Sequence, residues 1–473
     1  MPNTEKTTKK FTELPHMFVL LFAVIVAATI ATYIVPAGQY TRVMDETIKK
    51  MVIDPKSFAY IPRTPVSFFN MFVAIELGLI DAASITFLIF AAFSCLFLLE
   101  KTGAVDACIA LMVNKTRKNP NFATGLIVIL MTALAIWGST GTLSYEEIMA
   151  FSPIFVALSI ALGYDALVGI GISVVPVGMG FASATINPFT IGVAQTIAEL
   201  PIFSGLGYRC LILVVMTLFT IVYVLLYAKK IKKDPTKSLV YGIDYSDLTI
   251  DEARMATPFT TQRKLSMLAL LIGVAFMGYG LICLKWYINQ VAAIFFIVSI
   301  VVGIINKWNA NKIANTLVEG CERGVLAALT VGVARGVLIV VTQGNILDTI
   351  VHACGTLLNH LSLYGSAVGM LVFQTFLNFL VPSGSGQAAV AMPIMTPISD
   401  IIHLHRQIAV LAFQFGDGFS NLLWPTGFMV IVCAMVKIPL TKYYKWIGPF
   451  FLYCFIIQAA FMIGAVAINY GPF

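Results

Sequence analysis

Apolar stretches about 15 to 20 residues long follow one another along this chain, and charged residues seldom interrupt them. A helix needs roughly 20 such residues to cross the hydrocarbon of a bilayer. A membrane-crossing strand would alternate apolar and polar residues instead. Of the 473 residues, 59% are hydrophobic and 11% charged, with a mean hydropathy of +0.90. A soluble domain carries about 25% charged residues, so this chain has too few to coat a water-facing surface. The fold class is therefore an all-α polytopic membrane protein, and a β-barrel is excluded.

The formal charge of +7 does not point to nucleic acid, because of where it falls. Lys229, Lys230, Lys232 and Lys233 directly follow an apolar span, and Lys115, Arg117 and Lys118 lie near another span end. Such clusters anchor helix ends on the cytoplasmic side. The eight cysteines are scattered without a CxxC pair, and a thiol inside an apolar run behaves as a small hydrophobe. Neither a metal site nor a disulfide framework follows. The polar, basic start and the apolar run from His16 to about Val35 read as a cytoplasmic N-terminus and a retained first span, too long for a signal-peptide core.

Two short polar, glycine-rich breaks interrupt the apolar sequence: Gly138 to Glu147 and Pro382 to Gln387. The first sits between two arms, 122–137 and 148–162, of about 15 to 17 residues or roughly 22 to 25 Å of helix, which favours a re-entrant hairpin over two full spans. The second forms the matching hairpin between 373–380 with its neighbours and 388–402. A second break follows each hairpin, around Gly180 to Pro188 and around Gly418 to Pro425, making a discontinuous span. Surface helices are expected over 68–80, 105–113 and 311–321, and a polar external loop over 38–65. Thr102-Gly103-Ala104-Val105-Asp106 recurs as Gln343-Gly344-Asn345-Ile346-Leu347-Asp348, and Gly178-Met179-Gly180-Phe181 as Gly416-Asp417-Gly418-Phe419. One extra span between the halves places the second upside down relative to the first. The organisation is thus an N-terminal cytoplasmic segment (1–15), a first repeat (16–229), a cytoplasmic loop (230–263), a linking transmembrane helix (264–287) and a second, inverted repeat (288–473). Paired interrupted segments in inverted halves are the sequence signature of a transporter's substrate site.

Helix ends freed by such breaks offer N–H groups to anions and carbonyls to cations. Ser139, Thr140, Thr142, Ser383, Ser385 and Gln387 supply short polar groups at the tips, and Thr185, Asn187, Ser420, Asn421 and Thr426 at the second breaks. Any one of these reads equally well as a cap or kink-filler; four symmetric clusters do not. Glu146 and Glu147 are the expensive residues, since a carboxylate at membrane depth costs several kcal/mol unless paired or hydrated. Glu147 also fits a capping box begun by Ser144, whereas Glu146 is expected to contact a cationic substrate, as is Asp417. Arg335, mid-span, either pairs with a buried acid such as Asp417 or receives a substrate carboxylate. Asp106 and Asp348 are expected to cap helices. The histidines lack metal spacing, and no Gly-x-x-x-x-Gly-Lys-Ser/Thr loop is present, so ATP does not drive transport from this chain. No catalytic set and no cofactor is called for, so an enzyme is not expected; the coupling ion, Na+ or H+, stays open.

Ala334-Arg335-Gly336-Val337 followed by Gly344-Asn345-Ile346-Leu347-Asp348-Thr349-Ile350, together with Pro382-Ser383-Gly384-Ser385-Gly386-Gln387, resembles the YfcC branch of the C4-dicarboxylate anaerobic carrier family, over nearly the whole chain. That family belongs to the ion transporter superfamily. The resemblance implies two inverted repeats, each with a re-entrant hairpin and a broken helix, in a homodimeric elevator-type carrier of the bacterial inner membrane. The superfamily's Ser-Asn-Thr tip is replaced here by Gly138-Ser139-Thr140 and Ser383-Gly384-Ser385. The wider family is linked to C4-dicarboxylates, short-chain fatty acids and basic amino acids, and the branch to arginine/ornithine exchange. Acids outnumber Arg335 in the expected midplane layer, which favours a substrate with cationic character and hence basic amino-acid antiport. An ion-coupled carrier of C4-dicarboxylates or other carboxylates is the alternative.

Overall fold

The computed structural model describes residues 17–45, 50–54, 56–118, 120–248, 256–284, 286, 288–358 and 360–471. The N-terminal segment expected at 1–15 and residues 249–255 of the expected loop lie outside the described residues. Among the described residues, eight helices are long and apolar enough to cross a membrane, and the chain is a multi-pass membrane protein.

The first half runs α1 (Met17–Ile34), α2 (Phe68–Asp81), α3 (Ala83–Lys101), α4 (Ala104–Lys118), α5 (Pro120–Thr140), α6 (Tyr145–Ala161) and α7 (Ala166–Ala182). A π-turn, Pro188–Gly192, then leads into α8 (Val193–Ile197), and α9 (Leu206–Lys233) closes this half. After the linking α10 (Thr261–Cys283), the second half repeats the series as α11 (Ile288–Ile305), α12 (Ala310–Gln343), α13 (Leu347–Leu358), α14 (Leu363–Leu380), α15 (Gly384–Ile401), α16 (Arg406–Ser420), α17 (Phe428–Met435) and α18 (Leu440–Ala467). The closing helices α9 and α18 are both 28 residues long. Side-chain caps fix several of these starts: Asp165 accepts from Val168 N at 2.9 Å, Asn309 from Lys312 N at 2.8 Å and Ser362 from Gly365 N at 3.2 Å.

The helices sort into two bodies. Helices α1, α2, α3, α11 and α12 pack together as a wall, while α5–α7 with α9, and α14–α16 with α18, form a core. Within the wall α3 and α12 run antiparallel, as inverted repeats require. A Cβ on Gly320 would lie 2.4 Å from Ser94 Cα, so only glycine allows this approach. Ser94 Oγ donates to Leu317 O at 2.7 Å across the same contact. The short amphipathic α4 and α13 join wall to core in the two halves.

Several expected boundaries shift. Residues 311–321 are not a separate surface helix but the start of the continuous 34-residue α12. The charges there face outward, with Arg323 on Glu100 at 3.2 Å and Glu319 near Lys101 at 3.8 Å, so nothing forces a break. Residues 68–80 do not lie along a surface either. Ala82 N donates to Gly78 O at 3.0 Å and Thr86 N to Ala82 O at 2.9 Å, carrying helical bonding through from α2 into α3. Arm α5 reaches 21 residues, longer than its apolar core suggested. The polar stretch after α1 folds into two antiparallel ribbons, Gly38–Gln39 with Ala59–Tyr60 and Arg42–Asp45 with Lys50–Ile53. Asp348 anchors them instead of capping a helix: Arg42 donates to both its carboxylate oxygens at 2.9 and 3.0 Å, and Tyr40 N donates at 3.0 Å.

Candidate functional site

Each hairpin tip is fastened to the break of its own half. Thr185 N donates to Ser139 O at 2.9 Å in the first half. In the second, Thr426 Oγ1 donates to Phe379 O at 3.1 Å and Trp424 Nε1 to Thr375 O at 2.7 Å. Each tip therefore abuts the point where the discontinuous helix of its own half is interrupted. The irregular backbone is short: 141–144 and 381–383 at the tips, 183–187 and 421–427 at the breaks. Gly384 and Gly386 already belong to the first turn of α15. Gly141 closes the first tip with φ +73°, and a Cβ there would strike the Asn187 side chain at 2.6 Å, so both its conformation and its surroundings demand glycine.

The halves then cross. Tyr145, the first residue of α6, donates its hydroxyl to Gly418 O at 2.9 Å and stacks on Phe428, with ring centroids 5.5 Å apart. The first tip is thereby tied to the second broken helix. The two broken helices touch at Gly418, where a Cβ would lie 2.3 Å from Ala182 Cα, and Gln414 Nε2 donates to Phe181 O at 2.7 Å beside it. Reciprocally, the second tip approaches the first break, with Gly384 against the Thr190 side chain.

A cavity of about 130 Å³ lies at this crossing, between both tips, both breaks and the wall. Of the residues expected at the site, Glu146, Glu147, Arg335, Ser383, Ser385, Asp417 and Asn421 line it. Five of the others fasten backbone. Ser139 Oγ bonds Ile136 O at 2.8 Å and Thr185 Oγ1 at 3.2 Å; Thr140 and Thr142 both donate to Trp137 O, at 2.9 and 3.3 Å. Asn187 Oδ1 accepts from Phe189 N at 2.9 Å, and Gln387 Nε2 donates to Gln374 O and Oε1 at 2.9 and 2.8 Å. Residues the sequence reading missed complete the lining: Tyr145, Phe181, Phe189, Thr190 and Phe428 from the core, and Ile85, Leu281, Ile288 and Val291 from the wall and α10. Tyr145 had a visible signal, since it stands inside the polar tip beside Glu146. The aromatic residues had none, being phenylalanines in apolar runs.

The charges divide sharply. Glu147 is absorbed locally, accepting from Ser144 N at 2.8 Å as the returning half of a capping box. Arg335 does not reach Asp417. Its Nε lies 3.5 Å from Asp81 Oδ2 at the end of α2, and the two side chains are 15% and 48% exposed. The close packing of α2 on α12 brings this acid within ion-pairing distance. Asp417 is buried, and its Oδ2 has no hydrogen-bond partner. Its backbone carbonyl is held by Asn378 at 3.1 Å and Asn421 at 2.8 Å, so the residue is fixed while the carboxylate stays open. Glu146 has no ion pair among the described residues, and feels the charges of Glu147, Arg335 and Asp417. The cavity thus presents two carboxylates without an ion-pair partner among the described residues and one guanidinium engaged by Asp81. Among the described residues no group of metal-ligating side chains is present.

The family model described as "C4-dicarboxylate anaerobic carrier" (DcuC) matches residues 14–467. The chain belongs to that family. It is a membrane transporter, as the family and its relatives are, and not an enzyme. This carrier is 29% identical to the Escherichia coli (strain K12) protein named "Putative basic amino acid antiporter YfcC", over 99% of each chain. It is also 29% identical to an uncharacterized Haemophilus influenzae protein over 97% of each chain. Among solved structures, the Alcanivorax borkumensis YdaH transporter aligns with a TM-score of 0.47 and 13% identity, covering 97% of this carrier and 100% of the other chain.

Proposed function

We propose that this carrier exchanges basic amino acids, arginine against ornithine, by an elevator-type movement of the core past the wall. One observation carries the reading: Glu146 and Asp417 face the cavity without an ion-pair partner among the described residues, while its guanidinium, Arg335, is held by Asp81. A cationic side chain entering the cavity supplies the missing charge. The substrate's carboxylate meets the N–H groups of the first turn of α15, at Gly384 and Ser385, where the helix dipole favours an anion. Tyr145, Phe181, Phe189 and Phe428 add ring faces suited to a guanidinium. An empty cavity leaves two carboxylates desolvated and unpaired, which disfavours crossing unloaded. Obligatory exchange follows. The name of the Escherichia coli relative agrees with this substrate class.

The second reading is an ion-coupled carrier of C4-dicarboxylates or other carboxylates, with Na+ or H+ accompanying the substrate. It rests on the two helix N-termini, those of α6 and α15, that meet at the cavity beside Arg335. Neither reading needs a bound cofactor. The basic end of α9 fits an inner-membrane orientation with the N-terminus in the cytoplasm, and the resemblance within the ion transporter superfamily supports a homodimer. A thermal-shift screen of the purified protein separates the substrates. Arginine, ornithine and lysine should raise the melting temperature while succinate does not; stabilisation by succinate alone would reject the exchange of basic amino acids.

A further inference from the structure

A second, larger cavity opens away from the substrate site, where the connecting helix α4, the base of the first hairpin and the last turns of α9 come together. Its volume is about 900 Å³, and its lining is of two kinds. Val113, Leu162, Leu225 and Ala228 give it apolar walls, and Lys229, Lys232 and Lys233 stand at its rim, with no acidic residue in the lining. The run Lys229-Lys230-Ile231-Lys232-Lys233 places these three lysines on one side of the helix, at spacings of three and four residues. Lys230 points elsewhere and is absent from the lining. Lys232 is positioned by two contacts: Nζ donates to Leu162 O at 2.8 Å and lies 4.6 Å over the Tyr164 ring. None of the three has a carboxylate partner among the described residues, because the nearby acids are engaged. Asp165 accepts from Tyr227 and Ser238, both at 2.7 Å, and Asp234 pairs with Lys237 at 3.4 Å.

An independent observation shows what approaches this rim. Leu211, Val214, Leu218, Val222 and Leu226 of α9 are each more than half exposed, and they recur every three or four residues along one face. That stripe runs directly into Lys229 and Lys233. An apolar face for acyl chains ending in unpaired ammonium groups, at a helix end, is the geometry of a lipid with an anionic headgroup.

We propose that this cavity binds an anionic phospholipid, its phosphate between Lys229, Lys232 and Lys233 and its chains along the outward face of α9. The site is separate from the substrate cavity and does not depend on which substrate is carried. A bound lipid would brace the hairpin base, through Leu162 to Tyr164, against α9.

Native mass spectrometry of the full-length protein in detergent tests this directly, with phosphatidylglycerol, phosphatidylcholine or inorganic phosphate added. The wild type should retain phosphatidylglycerol in preference to phosphatidylcholine, and inorganic phosphate at millimolar concentration should not displace it. Retention should fall about fivefold per lysine removed in the K229Q/K232Q/K233Q variant, and stay at the wild-type level in K230Q and in K229R/K232R/K233R. The arginine variant separates loss of charge from loss of fold. Equal retention by the glutamine triple variant, or of phosphatidylcholine by the wild type, would overturn the proposal. Displacement by inorganic phosphate would overturn it in favour of a soluble phosphate ligand.

Discussion

Replacing Glu146 by Gln removes one negative charge from the substrate cavity and little else. The side chain takes part in no ion pair among the described residues, and glutamine keeps its length and an acceptor oxygen. A guanidinium placed about 4 Å from a carboxylate gains about 4 kcal/mol at an effective dielectric constant of roughly 20. Desolvating both groups offsets part of that gain, and removing one partner of a buried charge pair costs about 2 kcal/mol or more. Arg335 cannot take over the role, having the same sign as the substrate and being held by Asp81. The expected loss for E146Q is therefore about 2 kcal/mol, or roughly thirtyfold in the Kd for arginine. Citrulline, which matches arginine in shape but is neutral, should bind the variant as it binds the wild type. Isothermal titration of both ligands against both proteins measures this, with melting temperature as a check on folding. An arginine Kd within twofold of wild type, in a folded E146Q protein, would remove Glu146 from the site and with it the electrostatic reasoning.

Three further substitutions probe the surrounding structure. D81N should free Arg335 and weaken arginine binding several-fold while improving that of succinate; stability should change by less than about 1 kcal/mol, because Asp81 is half exposed. G418A places a Cβ 2.3 Å from Ala182 Cα, so the broken helices must separate, costing about 1 to 3 kcal/mol and lowering the melting temperature by several degrees. D348N removes the charge and one of the two acceptor oxygens, so the two-pronged contact with Arg42 is broken and the Tyr40 N–H competes with Arg42 for the oxygen that remains. It should weaken the ribbon by about 2 kcal/mol, read as at least tenfold faster hydrogen exchange over residues 38–45 with melting temperature nearly unchanged.

The hairpins, the broken spans and the inverted plan were legible because each leaves a mark at membrane depth, where irregular backbone needs polar or glycine residues. Glu146, Asp417 and Arg335 stood out for the same reason, as charges inside apolar sequence. What those charges pair with was not legible. Arg335 meets Asp81, a residue more than 250 positions away in sequence, and only the packing of α2 on α12 brings them together. The hydroxyls of Ser139, Thr140 and Thr142 look like ligands in sequence yet close the tip's own backbone, since freed carbonyls compete for them locally. The aromatic lining was hidden because Phe181, Phe189 and Phe428 do not differ in composition from their apolar neighbours. Helix ends were misplaced where a polar face, as at 311–321, mimics a surface helix while the backbone continues unbroken.

Counterflow in proteoliposomes addresses the central claim most directly. Vesicles containing the purified carrier and loaded with unlabelled ornithine should accumulate labelled arginine transiently above equilibrium, while empty vesicles take up little. Exchange of succinate, with no arginine entry into ornithine-loaded vesicles, would contradict the account and leave the carboxylate reading in its place.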